Sequence, residues 1–284
     1  MKLLIFGGAG MAGHVLSQYF RDIIKRDVWV TERSGPPDAR KIVLDVRDHP
    51  RVEQALKQVQ PDVVVNAVGL LNQVAEENVK DAIYINSLFP HLLAEHGTKQ
   101  GFKLVHISTD CVFSGRKGDY TERDIADGDT VYARTKALGE VTEAPHVTIR
   151  TSIIGPEKKD GIGLFHWFTR QTGEVKGYTN VFWNGVTTLE LAKATKWILD
   201  HDLTGLIHLA APQKVSKYAL LSMIQEIFER QDIHLTPTET HPSDKSLVNT
   251  RPDVTYNVPD YQTMLEEMKA WMTAHRAAYE HDSA

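Results

Sequence analysis

A doubly wound parallel α/β sheet with a smaller C-terminal lobe is the fold this sequence predicts, on three observations. Short apolar, β-rich runs recur through the first half of the chain without polar alternation, as strands buried on both faces require. Longer stretches of helical spacing separate them, the pattern of right-handed βαβ units. A glycine-rich turn, Gly7-Gly8-Ala9-Gly10-Met11-Ala12-Gly13, follows the first apolar run and opens the first helical pattern.

Taken in order, Leu3–Phe6 reads as a strand and Met11–Lys25 as a helix with Val15, Leu16, Tyr19, Phe20 and Ile23 on its apolar face. Val28–Val30 and Lys41–Leu44 are strands, and Pro50–Gln58 is a helix. Asp62–Val65 is a continuous apolar strand, and Asp81–Gln100 a long helix with a kink at Pro90. Strand Lys103–Ser108, helix Thr130–Glu143 and strand Val147–Thr151 complete this half. After Gly155-Pro156 the pattern loosens. A short aromatic helix falls within Gly161–Gly173, and its Phe165, Trp167 and Phe168 read as core. Helix Thr188–Leu199, strand Leu206–Leu209 and helices Lys217–Glu229 and Tyr261–Tyr279 follow. The predicted division is a main domain over 1–155, with 181–212 returning to it, and a lobe from 156–180 and 213–284.

With 284 residues, 42% of them hydrophobic, the chain can bury a large core without staples. Its net charge of -5 and lack of any long basic run argue against nucleic acid as a partner. Cys111 is the only cysteine, so no intrachain disulfide forms, and no Cys/His spacing reads as a zinc site. No metal is predicted; His208, His241 and most other histidines stand alone and read as surface or satisfied core. The apolar run after Lys2 has four residues, too short for a signal segment of roughly 7–15. Nothing approaches the roughly 20 apolar residues of a membrane span. The expectation is a cytoplasmic protein with no membrane partner, its oligomeric state open and a homodimer among the options.

The glycine turn carries the first chemistry. Glycines at 7, 10 and 13, with Met11 and Ala12 between them, allow a tight turn and close approach of backbone N–H groups to a pyrophosphate at a helix N-terminus. The expected ligand is a nicotinamide dinucleotide on a Rossmann-type sheet. Thr31-Glu32-Arg33 lies roughly 20 residues further on, where the ribose is read. Glu32 suits the free 2′-hydroxyl of NADH, whereas Arg33 with Thr31 suits the 2′-phosphate of NADPH. NADPH is the preferred reading and NADH stays open. Asp45 and Val46 would flank the adenine, and Ala67, Val68 and Gly69 would line the cofactor with backbone.

Tyr132 and Lys136 stand at i and i+4 on one helix face. A phenol with an ordinary pKa of about 10 needs a neighbouring ammonium to serve as an acid-base group at neutral pH. Thr109 closes a strand whose end faces the same crevice, where its hydroxyl could polarise a carbonyl or cap a turn. GGAGMAG at 7–13, HISTDCVFSG at 106–115, YARTKALGE at 132–140 and TIRTSIIGP at 148–156 together resemble the extended short-chain dehydrogenase/reductase family. Within it, the chain is similar to the dTDP-4-dehydrorhamnose reductase group of sugar-nucleotide reductases.

The resemblance implies reduction of the C4 keto group of a nucleotide-linked 4-keto-6-deoxy sugar. Tyr132 would donate a proton, Lys136 would lower the tyrosine pKa and bind the ribose, and Thr109 would hydrogen-bond the C4 oxygen. Leu70 would line the sugar pocket and Asp110 orient a sugar hydroxyl. Cys111 stands where related dehydratases carry a glutamate, which disfavours dehydration. Trp183 and Asn184 would contact base or sugar, and Arg251 would pair with the diphosphate. An epimerase of the same family, or a non-catalytic regulatory subunit like that of methionine adenosyltransferase, remain the alternatives.

Overall fold

The structure, a computed structural model, describes residues 1–158, 161 and 163–279. Seven parallel strands form the central sheet: β1 Lys2–Phe6, β2 Asp27–Glu32, β3 Lys41–Val43, β4 Val63–Asn66, β5 Lys103–Thr109, β6 Val147–Thr151 and β7 Gly205–His208. Their order is β7-β6-β5-β4-β1-β2-β3, which reverses at β1/β4 and opens a crevice at the carboxyl ends there. The apolar runs behave as their lack of alternation predicts. Leu3, Leu4, Ile5 and Phe6 are all buried, odd positions joining one apolar cluster and even positions the other.

Helices cover both faces: α1 Met11–Gln18, α2 His49–Val59, α3 Phe89–Gln100, α4 Val131–Leu138 and α5 Thr188–Asp200. Caps explain several starts. Asp48, Thr130 and Thr187 accept from Arg51, Ala133 and Glu190 N–H respectively, each satisfying a first-turn donor. Three predicted helices of the first half are altered. The first is α-helical only to Gln18 and continues as a π-helical turn over Tyr19–Ile23. The long helix before Gln100 is interrupted over Ile83–Leu88 by a second π-helical turn, which absorbs the kink placed at Pro90. The helix carrying Tyr132 stops at Leu138 rather than Glu143. There Gly139 lies under the Asn86 carbonyl, where a Cβ would sit 1.8 Å from that oxygen.

Gly13 is required for a similar reason. A Cβ on it would lie 2.1 Å from the Gly7 carbonyl oxygen, backbone against backbone, and Gly7 itself holds φ +89°. Gly13→Ala is therefore expected to lower stability by about 1–3 kcal/mol. A urea melt checks this, and an unchanged midpoint would show that α1 does not start against the turn.

Short strands that the sequence pattern does not announce tie the lobe segments to residues 153–154 and 181–187. Gly173–Tyr178 pairs in parallel with Ile233–Thr238, and Val181–Trp183 pairs with Val215–Ser216 and Ser243–Asp244. Val186–Thr187 pairs with Ile153–Ile154. Helices α6 Lys217–Ile227 and α7 Tyr261–Ala274 pack beside them. Phe165 and Phe168 are buried in one cluster with Leu3, Ile5, Leu220 and Met264, so lobe and sheet share a core. Trp167 is instead exposed. Among the described residues, no helix is long and apolar enough to cross a membrane.

Candidate active site

A cavity of about 310 Å³ opens at the strand tips where the sheet order reverses. Gly7, Gly10, Thr31, Arg33, Asp45, Val46, Ala67, Val68, Gly69 and Leu70, all singled out from sequence, line it. Met11, Ala12 and Gly13 form the first turn of α1 beside it. Gly10 is the cap residue of α1 and offers no side-chain acceptor, so the first N–H groups of that helix await an anion. Glycine cradle, uncapped helix start and a cavity reaching the β2 tip together fit a dinucleotide.

Glu32 and Arg33 differ in their neighbours. Glu32 faces Lys41 Nζ at 3.7 Å, and the Lys158 ammonium adds a second positive charge beside it. Arg33 is exposed at the cavity edge with Ser34. Arg47 was not foreseen; it binds Asp45 at 2.6 Å and Asp81 at 2.5 Å, and holds the Asp45 carboxyl below its usual range.

Asn86, fully buried on the π-helical turn, is a second unforeseen residue. Its amide donates to the Leu70 carbonyl and accepts from Leu70 N–H, both at 2.9 Å, and also donates to Thr135 Oγ1 on α4. It thereby clasps the loop after β4 to the helix carrying Tyr132. A lone Asn inside an apolar helical stretch gives no local signal of that role.

Thr109, Asp110, Tyr132 and Lys136 are all buried at the carboxyl end of β5. Thr109 Oγ1 accepts from Cys111 N–H at 3.1 Å and donates to Asp110 Oδ1 at 3.2 Å, so the hydroxyl both caps a turn and faces the crevice. Burial pushes the Tyr132 phenol well above its usual range; the nearby Cys111 and Asp110 add to this, and a Thr109 hydrogen bond opposes it. The expectation that Lys136 acts on the tyrosine is not met in this arrangement. Its Nζ donates to the Ile107 carbonyl at 2.7 Å and lies 3.3 Å from His106 Nε2, and burial lowers its pKa to about 8. Val68 N–H donates to Asn66 Oδ1, and the Asn66 amide nitrogen lies 3.2 Å from His106 Nδ1. Burial pushes the pKa of that histidine well below its ordinary value, and the neighbouring Lys136 charge adds to this.

The expected substrate contacts divide. Burial raises the Cys111 thiol to about 11, so it is a neutral group rather than a base. Trp183 is packed against Tyr261, with the Lys217 ammonium 5.2 Å over its ring. Lys217 and Lys245 both place positive charge on Asp110, and neither was foreseen because each stands alone in a lobe without periodic motifs. Asn184 is not available to a ligand. It is buried, donates to the Ala211 and Leu247 carbonyls, and accepts from Leu247 N–H. Arg251 is likewise not brought to the site. It binds the Thr204 and Leu206 carbonyls at the amino end of β7 and Asp253, at the opposite end of the strands from the crevice.

Comparison with known proteins agrees with this geometry. The family described as RmlD substrate binding domain matches residues 1–280. The dTDP-4-dehydrorhamnose reductase of Escherichia coli is 26% identical, over 94% of this chain and 97% of that protein. Methionine adenosyltransferase 2 subunit beta of Danio rerio is 25% identical, over 85% of this chain and 78% of its own. The crystal structure of dTDP-4-dehydrorhamnose reductase from Bacillus anthracis in complex with NADP superposes with a TM-score of 0.81 at 19% identity, covering 95% of this chain and all of that one, a likeness of fold.

Proposed function

The chain belongs to the RmlD substrate binding domain family, and from that premise we propose that it is an NADPH-dependent reductase of the C4 keto group of a nucleotide-linked 4-keto-6-deoxy sugar. The observation that carries this reading is the burial of Thr109 and Tyr132 together at the tip of β5, with Tyr132 in one apolar cluster with Leu70, which lines the cavity built on the glycine turn. The dinucleotide supplies a hydride when bound. Gly7, Gly10, Met11, Ala12 and Gly13 hold its pyrophosphate, Thr31 and Arg33 its 2′-phosphate, and Asp45 and Val46 flank its adenine. Ala67, Val68 and Gly69 present backbone to it, and Lys136 Nζ, bound to the Ile107 carbonyl, keeps a further N–H for the ribose.

Tyr132 Oη keeps its proton through burial and gives it to the oxygen at C4. Thr109 Oγ1, oriented by Cys111 N–H, turns its proton from Asp110 Oδ1 to the same oxygen and polarises it. Leu70, Asp110 and Cys111 line the sugar, with Trp183 fixing Lys217 beside them. Lys217 and Lys245 take the diphosphate role expected of Arg251. The neutral Cys111 thiol is a poor base for dehydration. Substrates of this class include dTDP-4-dehydrorhamnose and UDP-linked N-acetylated analogues.

The test is loss of reduced-dinucleotide absorbance with these sugars. Tight dinucleotide binding without turnover on any of them would overturn the reductase reading and favour a regulatory subunit like the Danio rerio relative. Arg33→Ala is expected to weaken NADPH by about ten- to hundredfold, the range of one charge-assisted contact, and to spare NADH. Equal losses for both dinucleotides would remove Arg33 from the 2′ position.

A further inference from the structure

Three side chains outside the crevice converge on the other face of the sheet from α1. His49 and Glu53 stand one turn apart on α2, and His96 reaches them from α3. One ligand atom from each lies within 4.8 Å of the other two. Glu53 Oε1 is 3.4 Å from His49 Nε2 and 3.8 Å from His96 Nε2. Around a tetrahedral zinc ion with bonds of about 2.0–2.2 Å, neighbouring ligand atoms sit about 3.4 Å apart. The two separations from Glu53 already lie within about half an ångström of that spacing, and all three ligand atoms lie within 4.8 Å of one another.

We infer that His49, Glu53 and His96 form a binding site for a borderline transition-metal dication such as zinc, clipping α2 to α3. Two imidazoles and one carboxylate suit zinc, nickel or copper(II) rather than magnesium or calcium. The surroundings leave the needed atoms free. Lys57 Nζ lies 3.8 Å from Glu53 Oε2, the oxygen the ion does not use. The Gln100 amide is 3.4 Å from His96 Nδ1, and with its carbonyl turned to that atom it accepts Nδ1–H and leaves Nε2 as the ligand. Side-chain exposures of 34%, 38% and 15% for His49, Glu53 and His96 admit the ion and leave its fourth position to water. Beneath it, Val52, Ala55 and Leu56 of α2 share a cluster with Phe89, Leu93 and Ala94 of α3, so the ion fastens the outer edge of a contact that is already apolar inside.

The experiment is calorimetric titration of the untagged full chain with zinc chloride, paired with thermal melts. One saturable site is expected, with a Tm that rises with zinc, returns on adding chelator, and ignores magnesium and calcium. Glu53→Gln and His96→Ala should each weaken zinc at least about tenfold, with the metal-free Tm kept. Should His96→Ala lower the metal-free Tm, His96→Gln carries the comparison. Absence of saturable binding, or zinc affinity undiminished in these variants, overturns the site. Neither readout depends on turnover, so its failure is separable from failure of the reductase reading.

Discussion

Tyr132→Phe is expected to lower kcat by about 10²–10⁴-fold, the usual worth of a positioned proton donor, while leaving dinucleotide affinity unchanged. The ring can stay where it is, because its packing against Ala75 and Ala82 involves only apolar faces. What disappears is the hydroxyl beside Thr109. Burial holds the proton on that hydroxyl at neutral pH, which is the form a donor needs. Steady-state kinetics alongside a fluorescence titration of the dinucleotide separates the two effects. Turnover close to that of the parent would mean that another group supplies the proton, and the assignment would fall.

Lys136→Met should act in opposite directions on stability and activity. Lys136 is buried, and its pKa falls from an ordinary 10.5 to about 8, a displacement worth about 3 kcal/mol. Below about pH 8 folded and unfolded chains both carry the proton, and the whole cost of burying the charge is present. Between about pH 8 and 10.5 the unfolded chain binds a proton that the folded chain has released, so this residue makes stability rise with pH. Methionine removes that cost but forfeits the bond to the Ile107 carbonyl. The expected result is a gain of about 1–3 kcal/mol at pH 7, a flatter pH profile and turnover reduced by about 10² or more. Urea melts at neutral and alkaline pH check it. A loss of stability at pH 7 would show that the ammonium is net favourable where it lies.

The parts of this site that could be read in advance are those written locally. The glycine turn, the apolar strands and the Tyr132/Lys136 spacing each depend on residues within one or two turns of chain. Arg33 and Glu32 could not be told apart that way, because what distinguishes their surroundings is Lys41 and Lys158, on a neighbouring strand and a distant loop. Arg251 was misplaced since proximity to a motif does not tell which end of a strand a side chain reaches. The lobe strands escaped notice for a different reason. Gly173–Tyr178 carries two glycines and its partner Ile233–Thr238 carries Pro237, so propensity speaks against both. The trio of His49, Glu53 and His96 is invisible for the same cause as Asn86: His96 meets the other two only after α2 and α3 dock.

The π-helical turn over Ile83–Leu88 makes the register of one helix a matter of residue count. Each residue added to or removed from an α-helix rotates everything beyond it by about 100°. Deleting one residue there would give a smoother helix, yet Asn86 and α3 would then no longer face their partners together. A shortened homologous chain that keeps both must lose its residue elsewhere, so gaps in this stretch should be rarer than in the exposed loops around it.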